Sequence, residues 1–175
     1  MLSSTRWERI TEWWQPKAGA ILSLLLFYFA VWDVPFETAW RLLFFSTLTL
    51  AGFGLTGYFF NDLADLPFDK KAGKSNMLEG VSKPTRIAIL VSLITLTGLP
   101  WFFYLRADAF SFALIGLQLF LMFAYPIPPL RFKDKPRLGM VSDALYAFGI
   151  PSVLAWHTMD LTAGLNENQE QLMHL

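Results

Sequence analysis

Five long uncharged stretches dominate the chain: Ala18 to Trp32, Leu42 to Phe60, Ile87 to Leu105, Ala109 to Leu130 and Ala144 to Met159. A helix that crosses a bilayer needs about 20 predominantly apolar residues, with roughly 17 to 25 as the range. The second, third and fourth stretches meet that length as they stand. The first reaches it by adding Pro16 and Lys17 or Asp33, whose polar ends can sit in the headgroups. The fifth reaches it when Leu138 to Asp143 joins the helix, which puts Asp143 inside it and Pro151 in its middle. The pattern predicts an all-α integral membrane bundle of about five transmembrane helices, near 17–33, 40–60, 86–105, 109–126 and 138–158, in one domain over 1–159. Two flanking segments differ. Trp7, Ile10, Trp13 and Trp14 recur at helical spacing beside Arg6, Glu8, Arg9 and Glu12, which predicts an amphipathic helix over 5–14 lying in the headgroup region. The tail, 160–175, is polar, has no lysine or arginine and carries no evident chemistry.

Composition agrees with a membrane protein. Apolar residues are 54% and charged ones 16% of the chain, against roughly 45–50% and about 25% in soluble domains. The absence of cysteine excludes disulfides and thiolate metal sites. The 14 basic and 14 acidic residues balance, which argues against a nucleic-acid partner that would need a broad basic face. The placement of the charges says more than their sum. Arg6, Arg9 and Lys17 precede the first stretch; Lys70, Lys71, Lys74, Lys83 and Arg86 follow the second; Arg131, Lys133, Lys135 and Arg137 follow the fourth. Only Arg41 and Arg106 fall between the other pairs. Cytoplasmic loops carry the excess of lysine and arginine. The expected topology is therefore a multi-pass protein of a bacterial-type inner, cytoplasmic membrane, with a cytoplasmic N-terminus and an external C-terminus. No small-residue cleavage site follows the first stretch, so no signal peptide is expected.

The segment NDLADLPFD, residues 61–69, brings three carboxylates to the end of the second apolar run. If the helix continues through it, Asp62, Asp65 and Asp69 fall within about 60° of one another and Asn61 joins the same face. Pro67 threatens a kink. A lone acidic residue here is most simply a solvated helix end paired with lysine, an arrangement worth little. Three carboxylates and an amide on one face repel each other unless a counter-charge holds them, and oxygen ligands without His or Cys suit a hard cation. Magnesium usually takes one or two carboxylates plus phosphate oxygens, so the cluster reads as half of a diphosphate site.

Asn61, Asp62, Asp65 and Asp69 match the NDxxDxxxD signature of the UbiA superfamily of intramembrane prenyltransferases. Its expected place is the loop after the second transmembrane helix. Gly57 and Tyr58 before it, the AGKSN run of Ala72 to Asn76 after it, and YPIPPLRFK at Tyr125 to Lys133 resemble the same family's surroundings. The resemblance covers about residues 15–156 and implies a partial UbiA-like fold. It further implies transfer of a prenyl group from an isoprenyl diphosphate to a lipid-soluble acceptor, often aromatic, within membrane lipid. By that resemblance Asp62, Asp65 and Asp69 are the catalytic residues and hold Mg2+. Asn61, Tyr125, Arg131, Lys133, Lys74 and Lys17 are the candidates to bind the diphosphate, although the basic residues are equally accounted for by topology.

An isoprenyl chain needs an apolar tunnel, for which Phe27, Tyr28, Phe29, Phe53, Phe59, Phe60, Phe120 and Phe123 are candidates; for each one alone, lipid or core packing is the simpler explanation. Gly52, Gly54 and Gly57 predict close helix packing. The family pattern has about nine helices and a second aspartate-rich motif, which Asp134, Asp143, Asp160, Glu167 and Glu170 do not form. Three readings follow: a partial family member, a chain that pairs with a second chain supplying the other half, or a catalytically incomplete protein that binds a prenyl diphosphate or a partner subunit.

Overall fold

A computed structural model describes the backbone from Arg6 to Ala163 and the side chains from Lys17 onward. Among the described residues six α-helices follow one another: α1 (Arg6–Val31), α2 (Phe36–Lys71), α3 (Lys83–Phe103), α4 (Ala109–Ala124), α5 (Pro136–Ala144) and α6 (Ile150–Ala163), the last two joined by a π-helical turn, Leu145–Gly149. There is no strand among the described residues. Three segments are long and apolar enough to cross a membrane: Phe36–Lys71, Lys83–Phe103 and Pro136–Ala163. Lys17–Val31 and Ala109–Ala124 are apolar but shorter. Local chemistry sets those limits. Tyr125 keeps helical angles (φ −60°, ψ −55°), and Pro126 after it has no N–H to offer the Met122 carbonyl, which ends the ladder; α1 gives way to a turn at Trp32 and Asp33, the latter at φ 48°.

Helix ends depart from the hydropathy boundaries in two places. The backbone of the expected amphipathic segment is continuous with the first apolar stretch in α1, while the face formed by Trp7, Ile10, Trp13 and Trp14 and the tail beyond Ala163 lie outside the described residues. Helix α2 does not stop at Phe60. Its 36 residues extend about 54 Å, well beyond the ~30 Å hydrocarbon core, and it carries the whole aspartate segment through Pro67. NDLADLPFD is thus helical, not loop. Lys70 and Lys71 in its last turn suit the negative end of the helix dipole.

The rods alternate in direction, and two clusters form the interior. One joins α1, α2 and α6 around Leu25, Leu42 and Met159, all fully buried. The other joins α2, α4 and the π turn around Phe53, Met122 and Tyr146. Lipid tails are as apolar as leucine, so side-chain burial between helices is a weak driving force in a bilayer; close packing and polar links matter more. Gly52 supplies the first of these. A Cβ there would stand 2.8 Å from Cα of Thr97, so α2 and α3 approach at a distance only glycine permits. The remainder of α3 faces outward, with 6% of its apolar window buried. At the end opposite the aspartates, the Tyr28 hydroxyl donates to Asp160 (3.2 Å), and Asp108 caps α4 by accepting from the Ser111 N–H (2.8 Å). That N–H, followed by His157 at 3.0 Å, holds the Asp108 carboxyl down at about 2, so the cap stays ionised at neutral pH.

Pro151 is accommodated by the π turn. The Tyr146 carbonyl, five residues earlier, finds no N–H at proline and accepts instead from Nε2 of the buried Gln118 on α4 (2.7 Å). Gln118→Leu leaves that carbonyl unpaired and is expected to lower stability by about 1–3 kcal/mol, read as a shifted unfolding midpoint in detergent.

Candidate functional site

The helical continuation of α2 aims the three carboxylates at two connecting segments. Asp65 faces the segment after α4, where its Oδ1 lies 2.6 Å from Nζ of Lys133 and 3.1 Å from Nη2 of Arg131; Nζ of Lys133 also donates to Oδ2. These partners are 66 and 68 residues away in sequence. Their side chains are 18% exposed for Arg131, 16% for Lys133 and 28% for Asp65, shielded enough that the attraction exceeds that of an open surface pair. Asp69 and Asp62 face the segment after α2. Nδ2 of Asn76 donates to Oδ2 of Asp69 and to the Asp62 carbonyl, both at 2.8 Å, and the Met77 N–H donates to Oδ2 of Asp62 (3.2 Å). Asn76 is almost fully buried, and its Oδ1 accepts from the Leu78 N–H (2.9 Å). It ties the loop between Gly73 (φ 66°) and Gly80 (φ 74°) back onto α2.

The cationic side chains are positioned by their own segment. Arg131 adopts the left-handed region at φ 35°, uncommon for a residue with a Cβ. Its Nε donates to Asp134 (2.7 Å), its Nη1 to the Pro126 carbonyl (3.3 Å), and its guanidinium lies 4.4 Å from the Phe68 ring centroid. Lys133 is fixed through its backbone N–H, which donates to the Tyr125 carbonyl (3.1 Å). Gly139 of α5 lets that backbone approach, since a Cβ there would be 3.0 Å from the Phe132 carbonyl oxygen.

Beside Lys133 lies a polar cavity of about 220 Å³ lined also by Gly57, Tyr58, Asn61, Tyr125, Asp143 and Tyr146. At the same level, on another face of α2, Phe60 meets Phe123 edge to face with centroids 6.1 Å apart. Both line an apolar groove of about 660 Å³ between α2, α3 and α4, together with Phe53, Trp101 and Phe112. The cavity and the groove share no lining residue: Tyr58 and Asn61 open on one face of α2, Phe53 and Phe60 on another. The family models, curated proteins and solved structures compared with this chain yield no match.

The sequence-predicted residues divide into groups. Asp65, Arg131 and Lys133 meet directly, and Asn61, Tyr125 and Lys133 share the cavity. Lys74 is exposed on the loop after α2. Lys17 lies toward α5, where its Nζ is 3.3 Å from Asp143. Of the tunnel candidates, Phe53, Phe60 and Phe123 line the groove; Phe27 and Phe120 face outward, and Tyr28, Phe29 and Phe59 are core residues. Among the described residues no group of three or more acidic or His side chains is arranged to hold a metal ion. Asp62, Asp65 and Asp69 share a helix face without forming a ready cation site, because protein donors engage each of them. Asp143, Tyr58, Tyr146 and Asn76 are not site candidates from sequence, although Tyr58 and Asn76 lie in the segments that carry the resemblance. Asp143 had a signal, since an ionisable residue inside a transmembrane stretch is a functional candidate by default.

Proposed function

We propose that the chain is a UbiA-like membrane prenyltransferase, transferring a prenyl group from an isoprenyl diphosphate to an acceptor, often aromatic. The observation that carries this reading is the contact of Asp65, from the first motif, with Arg131 and Lys133, from the second, beside a polar cavity. In this reading five apolar helices cross the bilayer, with the aspartate-bearing end cytoplasmic. The prenyl chain lies in the groove and the diphosphate at the polar end. Breaking the carbon–oxygen bond builds negative charge on the departing diphosphate, which Lys133 and Arg131 stabilise electrostatically in a site of low dielectric. Asn61 and Tyr125 donate hydrogen bonds to the same oxygens. The allylic cation left behind is met by the aromatic rings that line the cavity, Tyr58, Tyr125 and Tyr146.

Magnesium is the cofactor of this reading. Its oxygen-only donors are the right chemical type, and with phosphate oxygens present it needs one or two carboxylates, not three. Asp62, Asp65 and Asp69 are the carboxylates from which it would draw those ligands, and it would neutralise charge on the leaving group. The engagement of Asp65 by two cations favours a second reading, in which the chain binds a prenyl diphosphate without turning it over.

Purified protein in detergent, given farnesyl diphosphate, magnesium and an aromatic acceptor, is expected to release diphosphate, and Asp65→Asn to abolish the release. Binding of a non-hydrolysable analogue with no release under any acceptor would support the second reading; absence of both sinks the two together.

A further inference from the structure

The cations assigned to the diphosphate already hold an anion, and it belongs to the protein. We infer that the Asp65 carboxylate occupies the anion-binding position of this site, and that a phosphate or diphosphate headgroup enters by exchange, displacing Asp65 from Lys133 and Arg131. This rests on the reading of the site given above and adds how that site is controlled.

A carboxylate between an ammonium and a guanidinium, accepting from both, presents the oxygens that a phosphate would present to the same two donors. The donors do not depend on Asp65 for their place. Arg131 is also held by Asp134, by the Pro126 carbonyl and by the Phe68 ring. Lys133 is anchored through its backbone to Tyr125 and by the close packing at Gly139. Removing Asp65 would leave the cation pair standing and pointed at a vacated position.

An incoming headgroup also has somewhere to sit. Lys133 lines the 220 Å³ cavity with Asn61, which lies four residues before Asp65 on the same helix face. Charge opposes simultaneous occupancy. Asp65 and Asp134 balance Arg131 and Lys133, so an added diphosphate meets a neutral group with its cations already satisfied. It gains those cations only as Asp65 gives them up. The carboxylate acts as a tethered competitor, and it excludes weaker anions from the site.

The test is equilibrium binding of inorganic pyrophosphate and of geranyl diphosphate by calorimetry in detergent with EDTA. Asp65→Asn is expected to bind both about tenfold more tightly than the unmodified chain. Asp134→Asn removes the same charge from Arg131 without vacating the position, and is expected to gain about threefold at most. Asp65→Ser serves if Asp65→Asn does not fold. Equal affinity of the Asp65 variants and the unmodified chain, or an equal gain from Asp134→Asn, overturns the exchange while leaving the assigned function standing. Failure of every variant to bind either ligand overturns both. Tighter binding by Asp65→Asn without turnover in the unmodified chain supports the exchange and counts against the transferase.

Discussion

Gly52→Leu will separate α3 from α2. Even a single methyl group at Gly52 would stand 2.8 Å from the Thr97 backbone, and backbone cannot rotate aside as a flexible side chain does. Overpacking of a tight contact costs about 1–3 kcal/mol, and collision with a main chain belongs at the upper end. The effect should be large here because Gly52 and Thr97 are the closest approach in the seam along which α3 packs on α2. Disulfide trapping between cysteines introduced on facing positions of α2 and α3 would report the separation, since the crosslink should form readily in the parent and poorly in the variant. The unfolding midpoint in detergent should fall with it. Unchanged crosslinking would mean that α2 bows to accommodate the side chain. Because the groove lies between α2, α3 and α4, the same substitution should weaken binding of long prenyl chains more than of pyrophosphate.

Among the cationic residues, Lys133→Met should have the largest effect on catalysis. Lys133 lines the polar cavity and touches both oxygens of Asp65, so in the proposed reaction it is the side chain closest to the developing charge. Removing one preorganised donor of this kind typically lowers a rate by about 10²–10³-fold. Diphosphate release from farnesyl diphosphate is expected to fall by that factor. Methionine keeps the length and much of the volume of lysine, and Arg131 still neutralises Asp65, so the folded state should survive. A rate within about threefold of the parent would remove Lys133 from the machinery.

Much of the architecture is legible from hydropathy because a bilayer imposes a simple rule: long uncharged runs become helices. The positions of α3 and α4 follow almost directly. Hydropathy marks where a helix leaves the apolar phase, however, and not where it ends. Hence α2 passes Phe60 and runs to Lys71, its last turns satisfying their backbone groups internally while their side chains reach water. The motif residues were legible too, as types and spacings. Their partners were not, because the meeting of Asp65 with Lys133 depends on the antiparallel return of α4 and on the left-handed turn at Arg131. Lys17 shows the same dependence on packing. Its charge at a helix start looks like topology or ligand binding, yet Asp143 stands opposite it, a pairing that depends on the packing of α1 beside the π turn. Gly52 was read correctly as a packing residue. The neighbour it admits, Thr97, lies on a helix whose register against α2 no sequence pattern reveals.

The π turn at Leu145–Gly149 has a geometric consequence. A π turn contains about one residue more than the α-helical turn it replaces, and one residue corresponds to about 100° of rotation. It therefore works as a phase shifter between two faces of what would otherwise be a single rod. Upstream, the rod keeps time with Lys17 through Asp143; downstream, it keeps time with the interior through Leu154 and Met159. Without the extra residue these two alignments would compete, and satisfying one would turn the other toward lipid.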